Sequence, residues 1–567
     1  MFSPEDLCDR TEDGSLGSLR RKDDQVEVKG FRVERHGVAA VIESDPSPTT
    51  ASALETSESR SNGQCDEQTL VCMEMLESPS PKPIASSSAS ISTASACSLD
   101  LEKGILEVSN CQLQSNDAFG VEGSVVKYEL PSKKGFHGLR WLRHRFFSLY
   151  RRFFSLVIVG NLIAFAMVSW QSWDRGSLPI PDLATAAASN LLVAVAMRQD
   201  HVINFLFGLA TRVPTWMPLD IRRQCARVYH IGGIHSGAAI SATMWWLVLT
   251  GAETVNYINR NEEFTINTGT MVLGYLVMAL FTAIVAMAHP KVRVKLHDQF
   301  EATHRFAGWA ATALVWAHLI VATDSLRPDT VLLGVALATY PAIYLMALIT
   351  LGIALSWLRL RRVDVRPEPL SSHAVRLHLS FDIPTAGKTI RVADSPMRDW
   401  HAFAAINRPG QKGFSIIVSN AGDWTGKTID TPPRQLWTRG SPASGVLRIV
   451  PLFRKVILVA TGSGIGPCLP ILLDGRVPTR VLWSASHPRD TFSQEIVDDV
   501  MRADPKAIIW NTRTKGKPDL VGMAYQMMMT EGDAEAVCII SNRKVTQTVV
   551  YQLEARGIPA FGAIFDS

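Results

Sequence analysis

Six apolar stretches dominate the middle of the chain, at about 153–170, 183–209, 228–250, 268–288, 302–321 and 331–357. Each has roughly the 20 residues that a bilayer-crossing helix needs. The pattern predicts a six-helix transmembrane domain over 150–360. From Leu370 the period shortens. Residues 373–383 (HAVRLHLSFDI) alternate apolar and polar positions, as a half-buried strand does. Further short runs, including 414–419, lie between Gly and Pro turns, so 370–450 reads as an antiparallel β-barrel. From 453 onward apolar runs at 455–460, 480–486, 507–512, 536–541 and 559–565 alternate with helical patterns at 493–503, 518–530 and 543–556. That alternation predicts a doubly wound α/β domain over 453–567. Residues 1–130 show little apolar periodicity and read as a disordered tail.

Composition sharpens this division. The net charge of +4 averages unlike parts: residues 1–130 hold 23 acidic and 11 basic residues, and the rest is basic. Eighteen Lys and Arg flank one side of the apolar stretches and three flank the other. By the excess of positive charge on cytosolic loops, this predicts a multi-pass protein with both termini cytosolic; the plasma membrane, rather than an internal one, is the expected location. The basic residues follow that inner face, so no nucleic acid is expected as a partner. Of eight cysteines five lie in the acidic front, and no CxxC pair or Cys/His zinc spacing is present. A disulfide scaffold is excluded.

Two sets of residues carry candidate chemistry. The third apolar stretch has His230 and His235; the fifth has His304 and His318. Fourteen residues separate the latter two, which places both on one helix face at two depths. Histidines inside apolar helices are costly and often functional. They are candidate haem ligands, His304 paired with His235 or His230, while His318 faces only Met244 at its depth. The simpler alternative is that they bond neighbouring helices. The second set is the run Thr461, Gly462, Ser463, Gly464, Ile465, Gly466, Pro467, which sits between a strand and a helix. There the glycines let the backbone approach a pyrophosphate at the helix start.

Six spans with histidines on the third and fifth, then a barrel, then a nucleotide-binding sheet, resemble the ferric reductase and NADPH oxidase superfamily. The 300–308 segment (FEATHRFAG) is similar to that family's fifth-span entry. The 232–237 segment (GGIHSG) is similar to one in fungal TmpA-type membrane proteins. The resemblance implies an FAD site in the barrel, with Phe403 against the isoalloxazine and His401 near the flavin phosphates or ribityl. It also assigns Trp424 and Thr425 to a second FAD element, or else to a polar turn. Phe565 would cover the flavin, or else fill the core of the last strand. Thr461–Pro467 would hold the pyrophosphate of NAD(P)H. The family's flavin-contacting Thr is Ala404 here, and its Cys-Gly-Pro loop reads Ile540-Ser541-Asn542. The implied function is an integral membrane oxidoreductase passing electrons from cytosolic NAD(P)H through FAD, and a membrane haem where present, to an unidentified acceptor. The rival expectation is a membrane signalling or scaffold protein on a reductase fold that has lost turnover.

Overall fold

The computed structural model describes residues 129–176, 179–259, 265–381 and 385–563, with four short strands before them. The chain divides into one unit ending at Asn116 and another beginning at Asp117. In the first, Leu7–Arg10 pairs with Leu16–Leu19, and Gln25–Val28 with Phe31–Glu34, both antiparallel. The remainder of the expected disordered tail lies outside the described residues, as does Phe565.

After a short helical segment at 137–146, the second unit's main helices are α1 (Leu149–Arg175), α2 (Ile180–Ala196), α3 (Asp200–Ala210), α4 (Leu219–Cys225), α5 (Gly232–Asn259), α6 (Thr268–Ala288), α7 (His297–Leu326), α8 (Leu333–Thr339) and α9 (Pro341–Leu355). Among the described residues, α1, α6 and α7 are long and apolar enough to cross a membrane, or up to five spans if each bent pair counts as one. The expected six-helix transmembrane bundle is therefore not supported; what exists is a set of candidate apolar helices.

The departures have local causes. The second stretch breaks by 70° between α2 and α3. Asp200 opens α3, is buried, and takes the guanidinium of Arg391 at 2.7 Å, which turns this segment toward the barrel. The sixth stretch breaks by 76° between α8 and α9. Pro341 has no N–H to continue the first helix, and the residue before a proline avoids the helical region. Tyr340 accordingly sits at φ −93°, ψ 111°. Helix α5 runs past the third stretch, which ends at 250, and buries Glu253 and Asn256 in its last turns. The Glu253 carboxylate pairs with His318 at 3.1 Å, and Asn256 accepts the Ile266 N–H at 2.8 Å.

Seven strands form the antiparallel sheet: β1 (Arg361–Ser371), β2 (Ala374–Leu379), β3 (Lys388–Ala393), β4 (His401–Ala404), β5 (Phe414–Ser419), β6 (Gln435–Thr438) and β7 (Ala443–Ser444). Their order is β7-β3-β6-β1-β2-β5, with β4 on β3. An Ile406–Ser415 bridge ties the chain after β4 back to β5, curling the sheet toward closure. Val365, Leu377, Ile390, Val392, Ile416 and Val418 fill its interior. The short helix α10 (Asp423–Asp430) follows β5.

The last domain is a five-stranded parallel sheet of β8 (Val456–Thr461), β9 (Thr479–Ala485), β10 (Ile508–Asn511), β11 (Ala536–Ile540) and β12 (Ala560–Gly562). Its order is β10-β9-β8-β11-β12. Helices α11 (Ile465–Asp474), α12 (Gln494–Ala503), α13 (Leu520–Thr530) and α14 (Arg543–Glu554) connect the strands. Central β8 is apolar and buried from Val456 to Ala460, with helices covering both its faces.

Candidate functional site

The order of the parallel sheet reverses at β8, between β9 and β11. Open α/β sheets bind ligands at such a switch point, outside the carboxyl ends of their strands. Thr461 ends β8 there, and the loop turns through Gly462 (φ +50°) into α11. Gly464 is required by its neighbour: a Cβ would collide with the carbonyl oxygen of Ile540 and lie 3.0 Å from its carbonyl carbon. The nearest atom to a Cβ at Gly466 is the Ile417 Cβ on β5, at 3.8 Å, so the loop lies against the barrel. Pro467 stands in the first turn of α11, where its missing N–H costs nothing.

Two contacts that sequence reasoning missed hold this loop. Trp483, fully buried on β9, donates its indole N–H to the Gly462 carbonyl at 3.0 Å. The Thr461 and Ser541 hydroxyls meet at 2.6 Å across the ends of β8 and β11. Asn542 accepts the Val545 N–H at 3.0 Å and caps α14. Only strand order brings Trp483 to Gly462 and Ser541 to Thr461, and spacing along the chain carries no sign of either; the Asn542 cap is local, three residues apart. Beneath the loop, burial pushes the Cys468 thiol up and the Cys538 thiol up to about 12.

The barrel residues gather in a second cluster. His401 on β4 stacks on Trp424 of α10, with centroids 4.1 Å apart and planes at 23°. Phe403 lies 5.9 Å from the same indole. The buried His401 Nε2 and Trp424 Nε1 have no hydrogen-bond partner. Burial lowers the His401 pKa, which favours the neutral ring at pH 7. Thr425 turns inward on its own segment: it donates to the Gly422 carbonyl and accepts the Ala421 N–H, each at 2.8 Å.

The four helical histidines separate into three environments. His235 and His304 face each other with centroids 6.2 Å apart, beside an apolar cavity of about 240 Å³. The His235 Nδ1 bonds the Ala194 carbonyl at 2.8 Å, while the His304 Nδ1 has no partner. His318 is committed to Glu253 and packs on Trp246. His230 stacks on Tyr229 at 4.5 Å, and its Nδ1 has no partner. No group of three or more His, Cys, Asp or Glu that would hold a metal ion is present among the described residues.

The architecture is thus a barrel followed by a parallel sheet with a glycine loop at its switch point. A family model described as the C-terminal domain of adenylate-forming reductase 03009 matches residues 446–567, the whole parallel-sheet domain. Adenylate-forming reductase 03009 of Coprinopsis cinerea is 45% identical over 441 residues, covering 77% of this chain and 42% of the relative. Adenylate-forming reductase 06235 of the same fungus is 38% identical over 641 residues, covering 100% of this chain and 62% of the relative. The chain therefore spans less than two thirds of either relative's length. A ferredoxin NADP+ reductase from Neisseria gonorrhoeae with bound FAD and NADP aligns at 13% identity and TM-score 0.29, over 36% of this chain and 98% of the other. The FAD/NAD-binding domain of a nitric oxide dioxygenase from Vibrio cholerae gives 14% and 0.27 over 36% and 98%. Scores this low carry no weight for function.

These relatives support a reductase enzyme. They overturn the expected place in the ferric reductase and NADPH oxidase superfamily, because they are adenylate-forming reductases. The integral-membrane electron route and the TmpA-type assignment fall with it. Nothing in the relatives' names supports a flavoprotein or a haem.

Proposed function

We propose that this chain is the reducing part of an adenylate-forming reductase and takes hydride from NAD(P)H held at Thr461–Pro467. The single observation that carries the reading is the loop. It lies at the sheet's switch point, opens a helix N-terminus, and depends on a glycine jammed against Ile540. The family match over 446–567 supports it independently. Backbone N–H groups at the start of α11 would face the nucleotide pyrophosphate, with Gly462, Gly464, Gly466 and Pro467 shaping the approach. Thr461 and Ser541, joined across the strand ends, would stand where a nicotinamide ribose crosses. The relatives' names couple reduction to adenylate formation, and the substrate proposed is accordingly an activated carboxyl group.

A finer reading assigns FAD to the barrel. One observation favours it: His401 Nε2 and Trp424 Nε1 are buried donors or acceptors without partners, beside Phe403. FAD held there would supply a hydride-accepting ring. His401, Phe403, Trp424 and Thr425 would shape its seat.

The test is nucleotide binding and oxidation by the purified chain. NADPH or NADH should bind saturably and be consumed when an activated acyl substrate is supplied. Gly464→Val should abolish both. Turnover without any dependence on this loop would refute the assignment. A yellow chromophore retained through purification and lost in Trp424→Ala would support the finer reading, and a colourless, fully active protein would remove it.

A further inference from the structure

A second cleft, apart from the glycine loop, is lined by charged side chains. The strands β1 and β2, the loop 407–413 and the start of β5 enclose about 370 Å³. That lies within the range of roughly 300–1,000 Å³ typical of small-molecule sites.

Its walls follow from the barrel's register. Arg366 lies opposite His378, and His378 opposite Ser415. Alternate side chains of a strand share a face. Val365, Leu379 and Phe414 enter the barrel core. Arg366, His378 and Ser415 therefore form one row on the outer face.

The cations of the cleft divide into committed and free. His378 Nε2 is held by Glu368 at 2.6 Å. Arg408 is held by Glu495 at 2.6 Å and by Asp499, both on α12. On the acidic side, Asp364 accepts from the neutral amide of Gln435 at 2.7 Å and keeps its single negative charge. Arg366 and Lys412 are exposed and make no ion pair or hydrogen bond among the described residues. Two unpaired cations against the Asp364 carboxylate leave the cleft positive on balance, and the hydroxyls of Ser380 and Ser415 and the Gln411 amide stand around it. A guanidinium grips phosphate oxygens in pairs, an ammonium adds a point charge, and hydroxyls donate to the remaining oxygens.

We propose that this cleft binds a phosphate-bearing small molecule, gripped by Arg366 and Lys412. The site neighbours the barrel–sheet joint: Arg408 reaches α12 from its rim, and Ile417, two residues along β5 from Ser415, lies against Gly466. The proposal does not depend on the nicotinamide reading.

Calorimetric titration of the whole chain at low ionic strength tests it, with inorganic pyrophosphate and AMP as probes. Saturating NADPH is present throughout, so that the glycine loop is not the site measured. At least one probe should bind, and the affinity should fall tenfold or more in Arg366→Gln/Lys412→Gln. Both side chains are exposed, and NADPH binding in that variant should be unchanged. Tighter binding of AMP would identify a nucleotide phosphate; equal or tighter binding of pyrophosphate would identify a free one. The proposal fails if neither probe binds or if the double variant binds as the parent does.

Discussion

At the scale of single residues, the site rests on close approaches rather than on reactive groups. Gly464 admits no side chain because the Ile540 carbonyl occupies the space a Cβ would take. Gly464→Ala should already displace the loop, at a cost of about 1–3 kcal/mol for an overpacked position. Nucleotide affinity measured by titration should then fall at least tenfold. The buried thiols give a second check. Cys468 and Cys538 are raised by burial, and only the thiolate reacts. Iodoacetamide at pH 8 should leave both unmodified in the native protein and label both after denaturation, as read by mass spectrometry. Gly464 was legible in the sequence as part of a strand-loop-helix run. Its partner Ile540 was not, because β8 and β11 become neighbours only through the strand order.

At the scale of elements, periodicity carried far. The apolar run at 268–288 is α6, and the strand-loop-helix expected from 455 is β8 and α11. The antiparallel and parallel sheets lie where alternating and continuous apolar runs placed them. What periodicity missed were breaks set by single residues. Pro341 interrupts an apolar run without changing its hydropathy, and Asp200 answers to an arginine nearly two hundred residues away. The histidines show the same limit. Equal depth on a helix face suggested ligands, yet His318 is satisfied by Glu253, a residue whose facing could not be read from spacing. The link between β9 and the loop is testable at this scale. Trp483→Phe keeps the buried ring but loses the bond to the Gly462 carbonyl, worth about 1 kcal/mol. Nucleotide affinity should drop several-fold while the melting temperature changes little.

At the scale of the whole molecule, charged pairs lock the helical part to the parallel sheet. Arg222 of α4, nearly buried, takes the Glu535 carboxylate through two guanidinium nitrogens, at 2.6 and 2.8 Å. It also donates to the Leu452 carbonyl at 2.9 Å. Glu554 on α14 collects Arg223, Arg227 and His144. The hydrogen bond from Arg222 holds the Glu535 carboxyl below its ordinary value. A depressed folded-state pKa stabilises above the unfolded value and loses that contribution as pH falls through the folded one. Glu535→Gln leaves a buried guanidinium uncompensated, so it should destabilise by about 3 kcal/mol at pH 7. Urea unfolding should show that gap closing as pH drops below about 4. A gap that stays constant down to pH 3 would mean the pair does not couple the two parts.

The central claim is that the glycine loop at 461–467 holds a nicotinamide nucleotide for reduction. The most direct measurement is calorimetric titration of NADPH, and separately NADH, into the purified chain and its Gly464→Val variant. The account predicts saturable binding of at least one nucleotide to the parent, and loss of that binding in a variant that still unfolds cooperatively. Absence of binding by the parent, or equal binding by both proteins, would contradict it.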